Sequence, residues 1–185
     1  MVQDETPQMD IMEGEKCPIC SKNTLTLMEM ERDVPFFGMV AIFSMDCSSC
    51  NYHKADVEAL ETNDPAKYTL EVDGEEDLKI RIIKSSMAKV KIGTIGTIEP
   101  GEAANGYITN VEGIINRMKR QVEHLKEVVD NPADAKKAKN AIKKLTRVLW
   151  GQEKLKLVIE DPTGNSSIIS EKAVKVALKV PKKKK

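Results

Sequence analysis

Residues 34–50 read VPFFGMVAIFSMDCSSC, an apolar run that ends on the cysteine pair Cys47 and Cys50. All three phenylalanines of the chain, Phe36, Phe37 and Phe43, fall inside it. The segment from Gly38 to Asp46 reads as a strand. An unbroken apolar strand is expected where both faces are covered or where one face is a contact surface. The matching cysteine pair lies upstream as Cys17-Pro18-Ile19-Cys20, with 26 residues between Cys20 and Cys47. Within that interval TLTLMEM, from Thr24, alternates apolar and polar as a strand does, so a long hairpin joins the two pairs. Each Cys-x2-Cys turn presents two thiolates at the spacing a tetrahedral ion needs, and two turns close its shell. Cys17, Cys20, Cys47 and Cys50 are therefore expected to hold one structural Zn2+. No βαβ pattern flanks them, which argues against a thioredoxin-like redox pair. Four thiolates leave no open position for a catalytic water. His53 stands at a ligand-like offset from Cys50, but beside a filled shell it reads as a half-exposed strand residue. The sharper alternative for it is an outer contact or a substitute ligand.

The 185-residue chain is long enough for one ordinary domain or two small ones. Hydrophobic residues make up 41%, so a core is affordable, and 29 basic and 29 acidic side chains cancel. Net neutrality removes any global attraction to nucleic acid or anionic lipid, leaving only local patches. No apolar run approaches the ~20 residues that span a bilayer. The acidic, polar start MVQDETPQMDIMEGEK lacks the basic and apolar regions of a signal peptide. A soluble, intracellular, cytoplasmic protein with reduced, metal-binding cysteines is expected.

Residues 1–13 are expected to be a loose tail, 14–60 the zinc module, 61–178 a β-rich domain, and 179–185 a basic tail. Strand signals recur in YTLEVD, DLKIRIIKS and AKVKIGTI. In the second of these, Leu78, Ile80 and Ile82 alternate with Lys79 and Arg81. A helical hairpin is expected over about 109–150. Thr109 to Glu112 fits a capping box, and Val111, Ile114, Ile115, Met118, Val122, Leu125 and Val129 form one stripe. Asn131-Pro132 starts the second helix, with Ala138, Ala141, Ile142, Leu145, Val148 and Leu149 facing inward, and Gly151 ends it. Strands return in KLKLVIE and SSIIS, separated by a turn, Asp161-Pro162-Thr163-Gly164-Asn165. The glycines around 93–106 spell neither G-x-x-x-x-G-K-[ST] nor G-x-G-x-x-G, so they read as turns. Two histidines far apart, and no Cys/His or Ser/His/Asp set, point to a protein that is not an enzyme.

CPIC followed by DVPFFGMVAIFSMDCSSCNYHKADVE resembles the signature of the Zpr-one zinc-finger family. ITNVEGII and LVIEDPTGNSSI resemble two further family segments, in the right order, and the likeness runs over about residues 14–170. The resemblance implies a zinc ribbon followed by a double-stranded β-helix, jelly-roll-like, that carries a helical hairpin. It also implies binding to translation elongation factor 1-alpha and a part in that factor's folding or maturation. Eukaryotic members carry the module twice; this chain carries it once, as an archaeal form would. Phe36 and Phe37 either plug the space between knuckles and β-domain or anchor a partner. Asp161, Pro162, Gly164 and Asn165 either form a plain turn or a contact loop. The alternative reading is a nucleic-acid-binding zinc ribbon of transcription or the ribosome, helped by the lysine tail.

Overall fold

The computed structural model describes residues 9–34, 38–60, 63–101 and 104–179. Four strands, β1 (Met9–Lys16), β2 (Asn23–Val34), β3 (Gly38–Cys47) and β4 (His53–Ala59), form one antiparallel sheet in sequence order. The long β2–β3 hairpin keeps unbroken register from Leu25↔Cys47 to Val34↔Gly38. The second knuckle thus sits directly opposite the residues that follow the first. β3 lies between two neighbours, and Val40 and Ala41, which point to opposite faces, are both buried. That burial accounts for the lack of alternation in the apolar run. The expected loose tail over 1–13 is corrected at its end, because Met9 to Glu13 belong to β1. Alternation in MDIM pairs with MEM of β2, a long-range complementarity that a polar-looking N-terminus hides.

The second module is a jelly roll of two sheets. Strands β5 (Ala66–Val72), β7 (Lys89–Ile92), β8 (Gly96–Ile98), β10 (Leu155–Asp161) and β12 (Val174–Ala177) make a sheet of order β12-β5-β10-β7-β8. Strands β6 (Arg81–Lys84), β9 (Tyr107–Asn110) and β11 (Ser167–Ile169) make a second, of order β11-β6-β9. In β10 alternate residues Leu155, Leu157 and Ile159 face the core, together with Leu70 and Val72 of β5 and Val90 and Ile92 of β7. DLKIRIIKS is not one strand. Glu75–Leu78 is a single helical turn, α1, and β6 begins only at Arg81. Asp77 explains the turn: its carboxylate accepts from the Asp73 backbone N–H at 2.9 Å and from Lys172 Nζ at 2.6 Å, contacts that favour local winding over extension.

Helices α2 (Val111–Val128) and α3 (Pro132–Leu149) form the hairpin. The cap of α2 is Asn110 rather than Thr109. Asn110 Oδ1 accepts from Gly113 N at 2.8 Å, while Thr109 is still in β9 and pairs with Ile82. Ladder pairing of Thr109 outcompetes the capping box by one residue. Asn131 caps α3 as expected, accepting from Ala133 N at 2.9 Å. Val111, Ile114, Ile115, Met118 and Val122 of α2, with Leu145 and Val148 of α3, close the jelly-roll core. The stripe loosens beyond Val122: Leu125 is 55% exposed and Val129 only half-buried, so the tip of the hairpin outruns the sheet. Among the described residues, no helix is long and apolar enough to cross a membrane.

Candidate metal centre and partner loop

The two knuckles are near copies of each other. Ser21 N donates to Cys17 O at 2.9 Å and Asn51 N to Cys47 O at 3.0 Å. Cys17 N donates to Lys22 O at 2.9 Å and Cys47 N to Tyr52 O at 2.8 Å. Ser21 and Asn51, the residues after each second cysteine, both take positive φ, near 60° and 56°. These tight turns aim all four sulfurs at one point: they lie within 4.8 Å of one another. Cys17 Sγ is 3.7 Å from Cys50 Sγ, and Cys20 Sγ is 3.7 Å from Cys47 Sγ. Four sulfurs each ~2.3 Å from a central ion in a tetrahedron stand ~3.8 Å apart, so the spacing fits a tetrathiolate metal. Cys17 and Cys47 are buried beside Leu25, and Cys20 and Cys50 lie nearer solvent.

The surroundings favour the thiolate at Cys20 and Cys47 but not at Cys50, where the Tyr52 backbone hydrogen bond is outweighed by burial and the three neighbouring thiols, which push the thiol up to about 12. The Thr24 hydroxyl lies 3.3 Å from Cys47 Sγ, and with the backbone N–H groups of Cys50 and Ser49 it brings that thiol down to about 6. Ile19 N donates to Cys17 Sγ at 3.4 Å. His53 is not among the clustered ligands. Its Nδ1 is 2.6 Å from Asp46 Oδ1 and its side chain is 62% exposed. The bond from His53, reinforced by Ser44 Oγ at 2.9 Å from Oδ2, lowers the Asp46 carboxyl.

The Asp161–Asn165 turn is built around a buried carboxylate. Asp161 is fully buried at the end of β10. Its Oδ2 accepts from Ser85 Oγ at 2.8 Å and Ser166 Oγ at 2.6 Å; its Oδ1 accepts from Thr163 N at 2.8 Å and Thr163 Oγ1 at 2.7 Å. Ser166 Oγ in turn accepts from Ser85 N at 2.9 Å. Lys84, also buried, donates to Ser85 O at 2.8 Å. Burial lowers its ammonium, against the pull of Asp161. Gly164 has φ +73°, and a Cβ there would stand 2.3 Å from Asp64 O. The turn therefore presses on the segment that joins the two modules. Of the two readings of this segment, plain turn or contact loop, the burial of Asp161 and Gly164 fits a role in shaping the turn from inside. Pro162 and Asn165 keep partial exposure. Phe36 and Phe37 lie outside the described residues.

Residues 10–63 match the ZPR1 zinc-finger domain and residues 76–184 the ZPR1 jelly-roll domain. The chain belongs to the ZPR1 family. A ZPR1-like protein of Methanocaldococcus jannaschii is 36% identical over 84% of this chain and 79% of its own length. One of Pyrococcus horikoshii is 34% identical over 84% of this chain and 72% of its own. The zinc finger chaperone zpr1 of Schizosaccharomyces pombe is 31% identical over 82% of this chain but only 33% of its own length. The motif resemblance is thus shown, in single-module form.

Two functional-looking contacts of this ZPR1-family chain escape sequence reasoning. Thr24 looks like any strand threonine, and its role appears only once Cys47 is placed beside it. Asp56 Oδ1 accepts from Gly106 N at 2.7 Å and so ties β4 of the ribbon to the approach to β9. Separation of the two in sequence leaves no local signal for that bond.

Proposed function

We propose that the chain is a non-enzymatic, Zn2+-stabilised binding protein of the cytoplasm that engages translation elongation factor 1-alpha and assists its folding or maturation. The observation that carries this reading is family membership together with the closed four-cysteine cluster. A relative named as a zinc finger chaperone adds the chaperone sense. A thiolate tetrahedron with no free ligand position is suited to holding a fold rather than to turnover. Within this reading the partner contacts are Phe36 and Phe37, together with the half-buried Pro162 and Asn165.

The test is binding of the purified, zinc-loaded protein to elongation factor 1-alpha from the same source, free, with GDP and with GTP. Binding that changes with nucleotide supports a place on the factor's folding or exchange cycle. No binding in any state overturns the reading.

A further inference from the structure

Net neutrality hides a segregated charge. The ribbon, residues 9–60, carries nine acids against four Lys and Arg. The sheet register sorts the side chains around β1 into two sets. Met9↔Met30↔Ile42 and Ile11↔Met28 place an apolar, methionine-rich surface on one face. Asp10↔Glu29, with Glu31 and Asp33 further along β2, place acids on the other, next to the apolar pair Met12↔Leu27 on that same face. Asp10 directly opposes Glu29, and among the described residues neither has a cationic partner. Like charges directly across a ladder destabilise it.

β1 is exposed along its whole length, with Met9 at 51%, Ile11 at 50% and Met12 at 54%. Among the described residues it pairs only with β2, which leaves its outer edge open. A bulge between Met12 and Glu15, where Gly14 takes φ +80°, breaks the edge beyond Met12. Residues 9–12 stay regular. An open apolar edge strand is a template for another chain.

We propose that the outer edge of β1, residues 9–12, binds an extended segment of another protein whose side chains alternate apolar and basic. A strand added there has its side chains on alternate faces. One set extends the Met9, Ile11 and Met28 surface, and the other set meets Asp10 and Glu29. Main-chain bonds supply affinity in this mode and side-chain pockets supply specificity. Methionine side chains adapt to varied apolar partners, and the acids select basic ones. The proposal rests on the chain being a protein-binding module, not on which protein it binds.

The experiment titrates the full-length, metal-loaded, 15N-labelled protein with a short synthetic peptide of alternating Val and Lys. Amide shifts are expected at residues 9–12 and across β2 at 28–30, fading as salt rises. Ile11→Lys and Asp10→Lys each change an exposed side chain. With metal content and circular dichroism unchanged, each is expected to weaken binding at least about tenfold. No shifts at 9–12, or equal binding of a Val and Glu peptide, overturns the proposal. Concentration-dependent shifts at residues 9–12 without peptide assign the edge to a second copy and also overturn it. Peptide binding at β1 with no binding of elongation factor 1-alpha leaves this proposal standing and sinks the preceding reading. Factor binding with β1 silent does the reverse.

Discussion

Asp56 and Gly106, one in the metal-binding ribbon and one in the jelly roll, meet through a 2.7 Å hydrogen bond from the Gly106 backbone to the Asp56 carboxylate. A Cβ at Gly106 would lie 2.5 Å from Val57 O and 3.2 Å from Lys84 O, so only glycine lets the two backbones approach. Gly106→Ala must push the modules apart. Removing the acceptor in Asp56→Ala leaves the Gly106 N–H without its partner, at a cost of about 1–3 kcal/mol. Urea unfolding of both variants is expected to show a lower midpoint, with hydrogen exchange rising first at β4 and β9. Unchanged protection at both strands would show that the bond does not couple the modules.

Asp161 is expected to matter for folding more than for contact. In Asp161→Ala, Ser85, Ser166 and Thr163 lose their shared acceptor and Lys84 loses the carboxylate charge that favours its ammonium. Breaking a buried charged cluster by removing one member costs about 3–5 kcal/mol. The denaturant midpoint reports it. A Pro162→Ala variant, by contrast, should leave the midpoint near that of wild type. If Asp161→Ala kept full stability while losing partner binding, the internal role assigned to the carboxylate would be wrong.

Metal removal is expected to act on one module. A structural tetrathiolate ion contributes on the order of 10 kcal/mol to a small domain, and among the described residues the buried cluster at the ribbon's end is small: Cys17, Leu25 and Cys47, with Leu27, Met45 and Tyr52 partly buried against it. Chelation should abolish exchange protection in β1–β4 and spare α2, α3 and the jelly-roll core, so helical ellipticity persists. Thr24→Val removes the hydroxyl beside Cys47 and should weaken metal binding about 10- to 100-fold, read by competition with a chromophoric chelator.

Asp77 predicts an acid limb. Burial pushes its carboxyl up, but the Lys172 ammonium at 2.6 Å and the Asp73 N–H at 2.9 Å outweigh this and the net shift is downward. A carboxyl depressed in the folded state contributes stability above the ordinary carboxylate range and loses it as pH falls through the folded value. Lys172→Ala removes the opposing charge and leaves only the Asp73 N–H, so the contribution should shrink and the acid midpoint of unfolding should rise. Coincident acid transitions for the two proteins would refute the pairing.

The metal centre and the β2–β3 hairpin were legible in the chain because their determinants are local. Cys-x2-Cys spacing sets the knuckles, and period-two alternation sets the strands that bring them together. The same holds for the α2–α3 hairpin, where apolar periodicity and Asn131-Pro132 are read within a few residues. Tertiary structure alone decided what depends on distant partners. Met9 joins a strand because Met30 is there to pair with it, and Leu78 turns helical because Asp77 finds Asp73 and Lys172. Thr109 stays in a ladder with Ile82 instead of capping a helix. Asp161, which looked like a surface turn residue by composition, is internal because Ser85 lies 76 positions away in sequence and 2.8 Å away in space. Hydrogen-bond satisfaction of a buried carboxylate is a property of the packed molecule, and no short window of sequence contains it.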